Sequence, residues 1–443
     1  MYRRVFKTAP NTRKSQIDFI LVIFGTAAGR AVAFLNAIFI ARVLGPEAFG
    51  VFAFFFAVMM LTLIILSSFD TAYIRHAALV IHEREGRQYL SSNLIAKTAI
   101  GAFCLLCVLA VDASVPTLIF GKDYARRLLA AGVGAGIFLN FIMTQATLYR
   151  AKAKFHLFAI ATNVHTVLVF IVTIGLWLAL KQFTVEAVIT GYMVSSITAG
   201  TVALIMIFMV SRPCLPAITL FWSFLSWGKW MFLLSFVVAV FDRVDFFFLT
   251  KYLHPGDIGV YAAGAQLISI IYLSTGALNN VFVPKAVVAL SSRSDLNCYI
   301  KDSLTPILLV MAIAAMLIAS APYLINGFYG SQYAAAIPVV RIISFGWLGA
   351  SVYLPFSFIF YALDEPHTRF YLELTKLILG GSLLSVLVPR YGMTGAALSI
   401  ALALLINAIV SGLILWRKLI RKSLFGEAAE TTGNLLPARS NRD

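Results

Sequence analysis

Charge is scarce in this sequence. Of its 443 residues only 12% are Asp, Glu, Lys or Arg and 60% are apolar, against roughly 25% charged and 45–50% apolar in soluble globular chains. That shortage excludes an ordinary water-soluble domain and makes lipid the main solvent. Acids are scarcer than bases, 19 against 35, for a net charge of +16. In a soluble protein this sign points to nucleic acid. Here the bases gather in the short segments between apolar runs, as topology signals do, which excludes a nucleic-acid partner. Cysteine is almost absent: Cys104, Cys107, Cys214 and Cys298 offer one C-x-x-C pair inside an apolar run and read as inert thiols, with no metal site. No P-loop, H-E-x-x-H or strand-to-helix dinucleotide fingerprint occurs. ATP hydrolysis, zinc chemistry and catalysis in general are therefore not expected, nor is a resident cofactor.

What is present is a succession of apolar runs. A spanning helix needs about 20 apolar residues, and twelve runs qualify, near 18–41, 49–72, 94–111, 128–149, 157–180, 186–210, 222–250, 258–282, 303–324, 337–361, 370–389 and 394–416. The basic stretch MYRRVFKTAPNTRK precedes a run too long for a signal-peptide core, so the first helix is read as retained. Placing the N-terminus inside puts twenty-five bases, Lys97 among them, in inner segments. Eight fall on the outer side: Arg42, Lys122, Arg126, Arg127, Lys181, Lys251, Arg341 and Arg390. That bias places both termini in the cytoplasm. The expected organisation is a basic N-terminus (1–17), a six-helix lobe (18–211), an inner linker (212–221), a second six-helix lobe (222–416) and a polar tail (417–443). Every loop is short, so no extramembrane domain is expected.

An internal repeat supports this architecture. Residues 41–54, ARVLGPEAFGVFAF, align without gaps to 250–263, TKYLHPGDIGVYAA, at an offset of 209; the same offset carries Phe120-Gly121 and Tyr124-Ala125 onto Tyr329-Gly330 and Tyr333-Ala334. Six helices per repeat is an even number, so the halves share orientation and flank a central cavity: an all-α, 6+6 parallel-repeat membrane fold. Gly45, Pro46 and Gly50 in the first half, with Pro255 and Gly259 in the second, read as turn and hinge elements on the outer side.

The motifs FIARVLGPEAFGVFAF, FDRVDFFFLTKYLHPGDIGVYAA, FYGSQYAAAIPVVRI and VPRYGMTGAALSIALA cover both halves. In them the chain resembles the oligosaccharide flippase (Wzx-like) branch of the multidrug, oligosaccharidyl-lipid and polysaccharide exporter superfamily. The resemblance implies a V-shaped, MATE-like two-lobe fold in a bacterial cytoplasmic membrane and alternating access. It also implies a polyprenyl-pyrophosphate-linked oligosaccharide as cargo, for surface or exopolysaccharide (lipopolysaccharide) synthesis, with polymerase or export partners. The related lipid II flippases usually have fourteen helices, a departure that weakens a peptidoglycan role.

Charges inside the spans are the candidate site, because each costs several kcal/mol in hydrocarbon. Arg30 lies thirteen residues into the first run, about 18 Å along a helix crossing about 30 Å. Arg243 falls four residues from Arg30 in the repeat frame, so the two are expected to face one cavity from opposite lobes, where forked guanidinium groups suit a pyrophosphate. Asp242 and Asp245, three apart and so on one helical face, read either as charge balance for Arg243 or as a proton- or sodium-coupling pair. Arg75 beside Asp70, Arg341, and Lys376 beside Glu373 are weaker cargo candidates. Asn140, Gln145, Asn163 and His165 read first as helix-bridging polar groups. Two other classes remain: a drug or cation exporter, which needs an acidic or aromatic cavity, and a membrane glycan polymerase or glycosyltransferase, which needs acids on a large outer loop. The longest outer segment, 112–127, is short.

Overall fold

Because hydrocarbon offers no partner for a backbone N–H or C=O, apolar sequence in a membrane folds into helices that satisfy those groups internally. The computed structural model describes residues 12–77, 83–112, 114–289, 293–357, 359–362 and 366–433. Among them are thirteen α-helices and no strand: α1 (Thr12–Ala77), α2 (Arg84–Ala110), α3 (Ser114–Phe120), α4 (Ala125–Ala151), α5 (Phe155–Ala179), α6 (Val185–Ser211), α7 (Ile218–Phe241), α8 (Val244–Tyr252), α9 (Pro255–Ala289), α10 (Arg293–Phe328), α11 (Ala336–Ser357), α12 (Ile359–Ala362) and α13 (Pro366–Gly433). Nine of the described helices are long and apolar enough to cross a membrane. Large apolar side chains such as Leu118, Leu178 and Met209 stand exposed on the outside of the bundle, as a lipid-facing surface requires.

Two of the nine, Phe24–Ile74 and His367–Arg417, are 51 residues long. At 1.5 Å per residue that is about 77 Å, more than twice the hydrocarbon thickness. Each is divided by a left-handed glycine: Gly45 (φ 75°, ψ 173°) in α1 and Gly392 (φ 57°, ψ −133°) in α13. Pro46 then restarts the helix at a position where its missing N–H costs nothing. At the matching place in the second half α8 ends on extended Leu253 and Pro255 opens α9. The other repeat pair, Gly121 and Gly330, is left-handed in both halves, at φ 65° and 97°. A methyl group on Gly45 would touch nothing within 4 Å, so Gly45→Ala carries backbone strain alone. A fall in stability of about 1–2 kcal/mol is expected, visible as a lower midpoint when the detergent-solubilised protein is heated and followed by size exclusion.

Some boundaries differ from the apolar runs. The run 222–250 is not one helix: α7 stops at Phe241, Arg243 sits at φ −133°, ψ −6°, and α8 begins at Val244. α2 starts ten residues before the expected 94, α10 starts at Arg293 rather than 303, and α13 continues to Gly433, past 416. Hydropathy reports where lipid begins, whereas hydrogen bonding carries a helix on into the polar layer. Residues 1–11 of the basic N-terminus and 434–443 of the tail lie outside the described residues.

α1 packs on α4, α5 and α2 within its own half and on α7 and α9 of the other, and α11 packs on α10, α13 and α9. The two halves meet where the Phe69 ring of α1 packs on Phe224 and Phe232 of α7, and again at the zipped end carrying the repeated turns. There the Tyr333 hydroxyl donates to the Ala41 carbonyl (2.7 Å) and the Arg42 guanidinium donates to the Gly327 carbonyl. The rings of Phe34 and Phe328, Phe49 and Tyr333, and Phe54 and Phe247 meet edge to face.

Candidate functional site: a charged pathway between the halves

Arg30 is exposed. It stands eleven residues from Ala41, three helical turns (about 16 Å) along the same stripe of α1, and four from Phe34. Those two residues touch the second half at Tyr333 and Phe328. Arg30 thus lies on the stripe of α1 that carries Phe34 and Ala41, and it is exposed.

The second cluster is built around the break between α7 and α8. Asp242 caps α7 and lies in the electrostatic field of Lys376, Arg243 and Glu373. Lys376 pairs with Glu373 one helical turn away on α13 and sits 4.4 Å from the centre of the Phe241 ring. Arg243 is half-buried, and its Nε is buried without a hydrogen-bond partner among the described residues. Beside it a pocket opens between α11 and the two halves of α13, lined by Trp347, Tyr353, Arg369, Glu373, Lys376 and Asn407 among others. Trp347 meets Tyr272 of α9 edge to face at 5.1 Å. The buried Asn407 Oδ1 has no partner among the described residues.

Several expectations change here. Asp242 and Asp245 do not share a helical face, because the helix is interrupted between them. Asp245 is buried and committed: its Oδ2 accepts from the Tyr261 hydroxyl (2.6 Å) and its Oδ1 from the Phe246 N–H (2.9 Å). Arg341 stands apart from the pocket, its Nε donating to the Ile318 carbonyl of α10 (3.2 Å). The side chain of Arg75 lies outside the described residues. Asn163 reaches the Gly25 carbonyl, Asn140 the Leu63 carbonyl, His165 the Ser196 hydroxyl and Gln145 the Tyr149 hydroxyl, each a packing bond. The four cysteines are free thiols.

A further charged group was not foreseen as buried. Lys97, expected at the inner surface, is only 2% exposed; its ammonium lies 2.6 Å from Asp70 and donates to Thr144 Oγ1 at 2.8 Å, while Asn93 Nδ2 donates to Asp70 at 2.9 Å. Three helices, α1, α2 and α4, meet at this ion pair. The signal was a lysine inside the apolar run 94–111, counted with the inner segment for its closeness to the end of that run; α2 in fact begins at Arg84. Arg369, Trp347 and Asn407 carried no such signal, since only the fold brings α11 and both ends of α13 around one space.

Two helical halves that pack on each other through α1, α7 and α9, with nine helices long and apolar enough to span among the described residues, define an integral membrane protein. The profile of the polysaccharide biosynthesis protein family matches residues 39–338, and the chain belongs to that family. It is 23% identical over 407 residues, 88% of its length and 94% of the relative's, to a Shigella flexneri protein described as "Putative O-antigen transporter". Among solved structures it resembles an inward-facing multidrug resistance MATE transporter of the MOP superfamily, with a TM-score of 0.72 and 14% identity over 88% of this chain and 94% of that one. It also resembles the lipid II flippase MurJ in an inward closed conformation, with a TM-score of 0.71 and 18% identity over 88% and 86%. A third likeness is to a MOP superfamily transporter from Pyrococcus furiosus described as having a binding pocket of reverse polarity, with a TM-score of 0.65 and 14% identity over 90% and 94%. The resemblance carried by the sequence motifs is thus matched by family and by fold.

Proposed function

We propose that the chain moves a polyprenyl-pyrophosphate-linked oligosaccharide from the inner to the outer leaflet of a bacterial inner membrane, with both termini in the cytoplasm. In this reading twelve crossings, with α7 and α8 counted as one, form lobes at 18–211 and 222–416 joined by 212–221. The lobes rock against each other while the lipid tail stays in the bilayer. The observation that carries it is Arg30, an exposed arginine in mid-span on the stripe of α1 whose Phe34 and Ala41 touch the second half. Arg243, Arg369 and Lys376 on the second half outnumber Asp242 and Glu373. That balance favours an anionic head group and counts against a drug or cation exporter. Coupling to a proton or sodium gradient belongs to Asp242 and Glu373 in this reading, and a polymerase takes up the delivered glycan.

The test follows outward transfer of lipid-linked glycan in sealed vesicles, by lectin access, for Arg30→Gln and Arg243→Gln at matched expression. Each is expected to lower the rate at least 10-fold, since a charge-assisted bond to phosphate contributes about 1.5–3 kcal/mol. Transfer that proceeds equally without the protein, or is untouched in both variants, sinks the reading.

A further inference from the structure

We propose that the crossing of Gly50 and Gly259 is the outer gate of the transport cycle, a backbone-on-backbone seat that exists in the closed state and separates when the outer side opens. The two glycines are equivalent in the repeat, and the fold brings them to each other. A methyl group on Gly50 would overlap the Pro255 carbonyl oxygen and stand 2.9 Å from the Gly259 nitrogen; one on Gly259 would overlap the Pro46 carbonyl oxygen and stand 2.9 Å from the Gly50 nitrogen. The contact is reciprocal, as a two-fold related contact must be. Neither residue has a positive φ, so glycine is required here for close approach and not for backbone conformation. The turns that the sequence presented as local hinges are thus each other's partners.

Its surroundings suit a gate. Tyr333 on Ala41, Arg42 on Gly327, and the ring of Phe49 on Tyr333 close the halves around the glycines, while further along α1 Arg30 is exposed. Helices that seat on bare backbone separate without withdrawing interlocked side chains, and they re-form one register, since any lateral slip drives a proline carbonyl into the opposite helix. Because the seat is made equally by both halves, damage to either glycine has the same consequence. A single added methyl at either position holds the gate ajar.

The test rests on the transporter reading and on the outer placement of these turns. In a background with the four cysteines replaced, Ala53→Cys puts a thiol one turn inward of Gly50, where the native side chain is 6% exposed. A membrane-impermeant maleimide applied to spheroplasts is expected to label it poorly in the parent. Labelling should rise at least 5-fold, and to a similar level, in Gly50→Ala and Gly259→Ala. Gly256→Ala, in the same turn with nothing within 4 Å, should match the parent. Strong labelling in the parent, or parental protection in both monodisperse gate variants, overturns the gate. Should the gate variants fail to fold, Tyr333→Phe, which leaves the backbone seat untouched, should raise labelling about 2-fold, and no rise overturns it. Labelling seen only in inside-out vesicles keeps the gate and overturns the orientation instead. Loss of glycan transfer with the labelling pattern intact overturns neither, whereas the expected labelling in a protein that carries no lipid-linked glycan keeps the gate and removes the cargo reading.

Discussion

Lys97→Met is expected to destabilise the protein by about 3–5 kcal/mol, the cost of leaving one member of a buried ion pair unpaired. Asp70 would keep its bond from Asn93 but lose the ammonium at 2.6 Å, at a junction where α1, α2 and α4 meet. Asp70→Asn should cost less, because Lys97 keeps the Thr144 hydroxyl as an acceptor and the new amide oxygen is another. The double variant Asp70→Leu with Lys97→Met should recover most of the loss, since apolar packing of similar volume commonly equals or exceeds a buried pair. Apparent melting midpoints of the solubilised protein check this. If the double variant is no more stable than Lys97→Met, the pair is not the origin of the effect. A role confined to stability also predicts that double-variant protein transports at the parental rate per molecule.

How this pair escaped the sequence shows what patterning can and cannot reach. Hydropathy located the helical runs because burial of the backbone in lipid admits few other solutions, and the repeat was legible because Gly50 and Gly259 are held to glycine by sterics at two places with one offset. The same repeat could not say that the two glycines touch, since periodicity fixes a face of a helix but not what that face meets. Lys97 lies three residues inside the expected run 94–111 and was nevertheless counted with the inner segment, whereas α2 starts at Arg84 and carries it well inside the bundle. Asp242 and Asp245 were placed on one face by helical arithmetic that holds only while the helix is unbroken, and Arg243 breaks it. Arg30 was readable because a charge in the middle of an apolar run is costly wherever it points. Arg369 and Asn407 were not, because their common pocket is assembled from segments far apart in the chain.

The largest functional effect is expected at Lys376. Its ammonium neutralises Glu373 and lies over the Phe241 ring, in reach of the field of Asp242. Lys376→Met leaves Asp242 and Glu373 facing a half-buried space without the ammonium that pairs with Glu373, and with Arg369 as a cation still on α13. Truncating one member of such a pair commonly costs 2–5 kcal/mol, so outward transfer should fall about 30-fold or more. Two roles give the same first result and part at the second. If Lys376 only balances charge, then Lys376→Met with Glu373→Gln removes the excess negative charge and restores transfer. If its ammonium meets the anionic head group of the cargo, the double variant folds and reaches the membrane like the parent but transports no better than the single one. The second outcome is the expected one, because the pocket already holds Arg369 beside Glu373, so charge balance alone leaves Lys376 in excess. Recovery of transfer to within about 2-fold of the parent would assign Lys376 to charge balance and move the cargo site to Arg30 and Arg243.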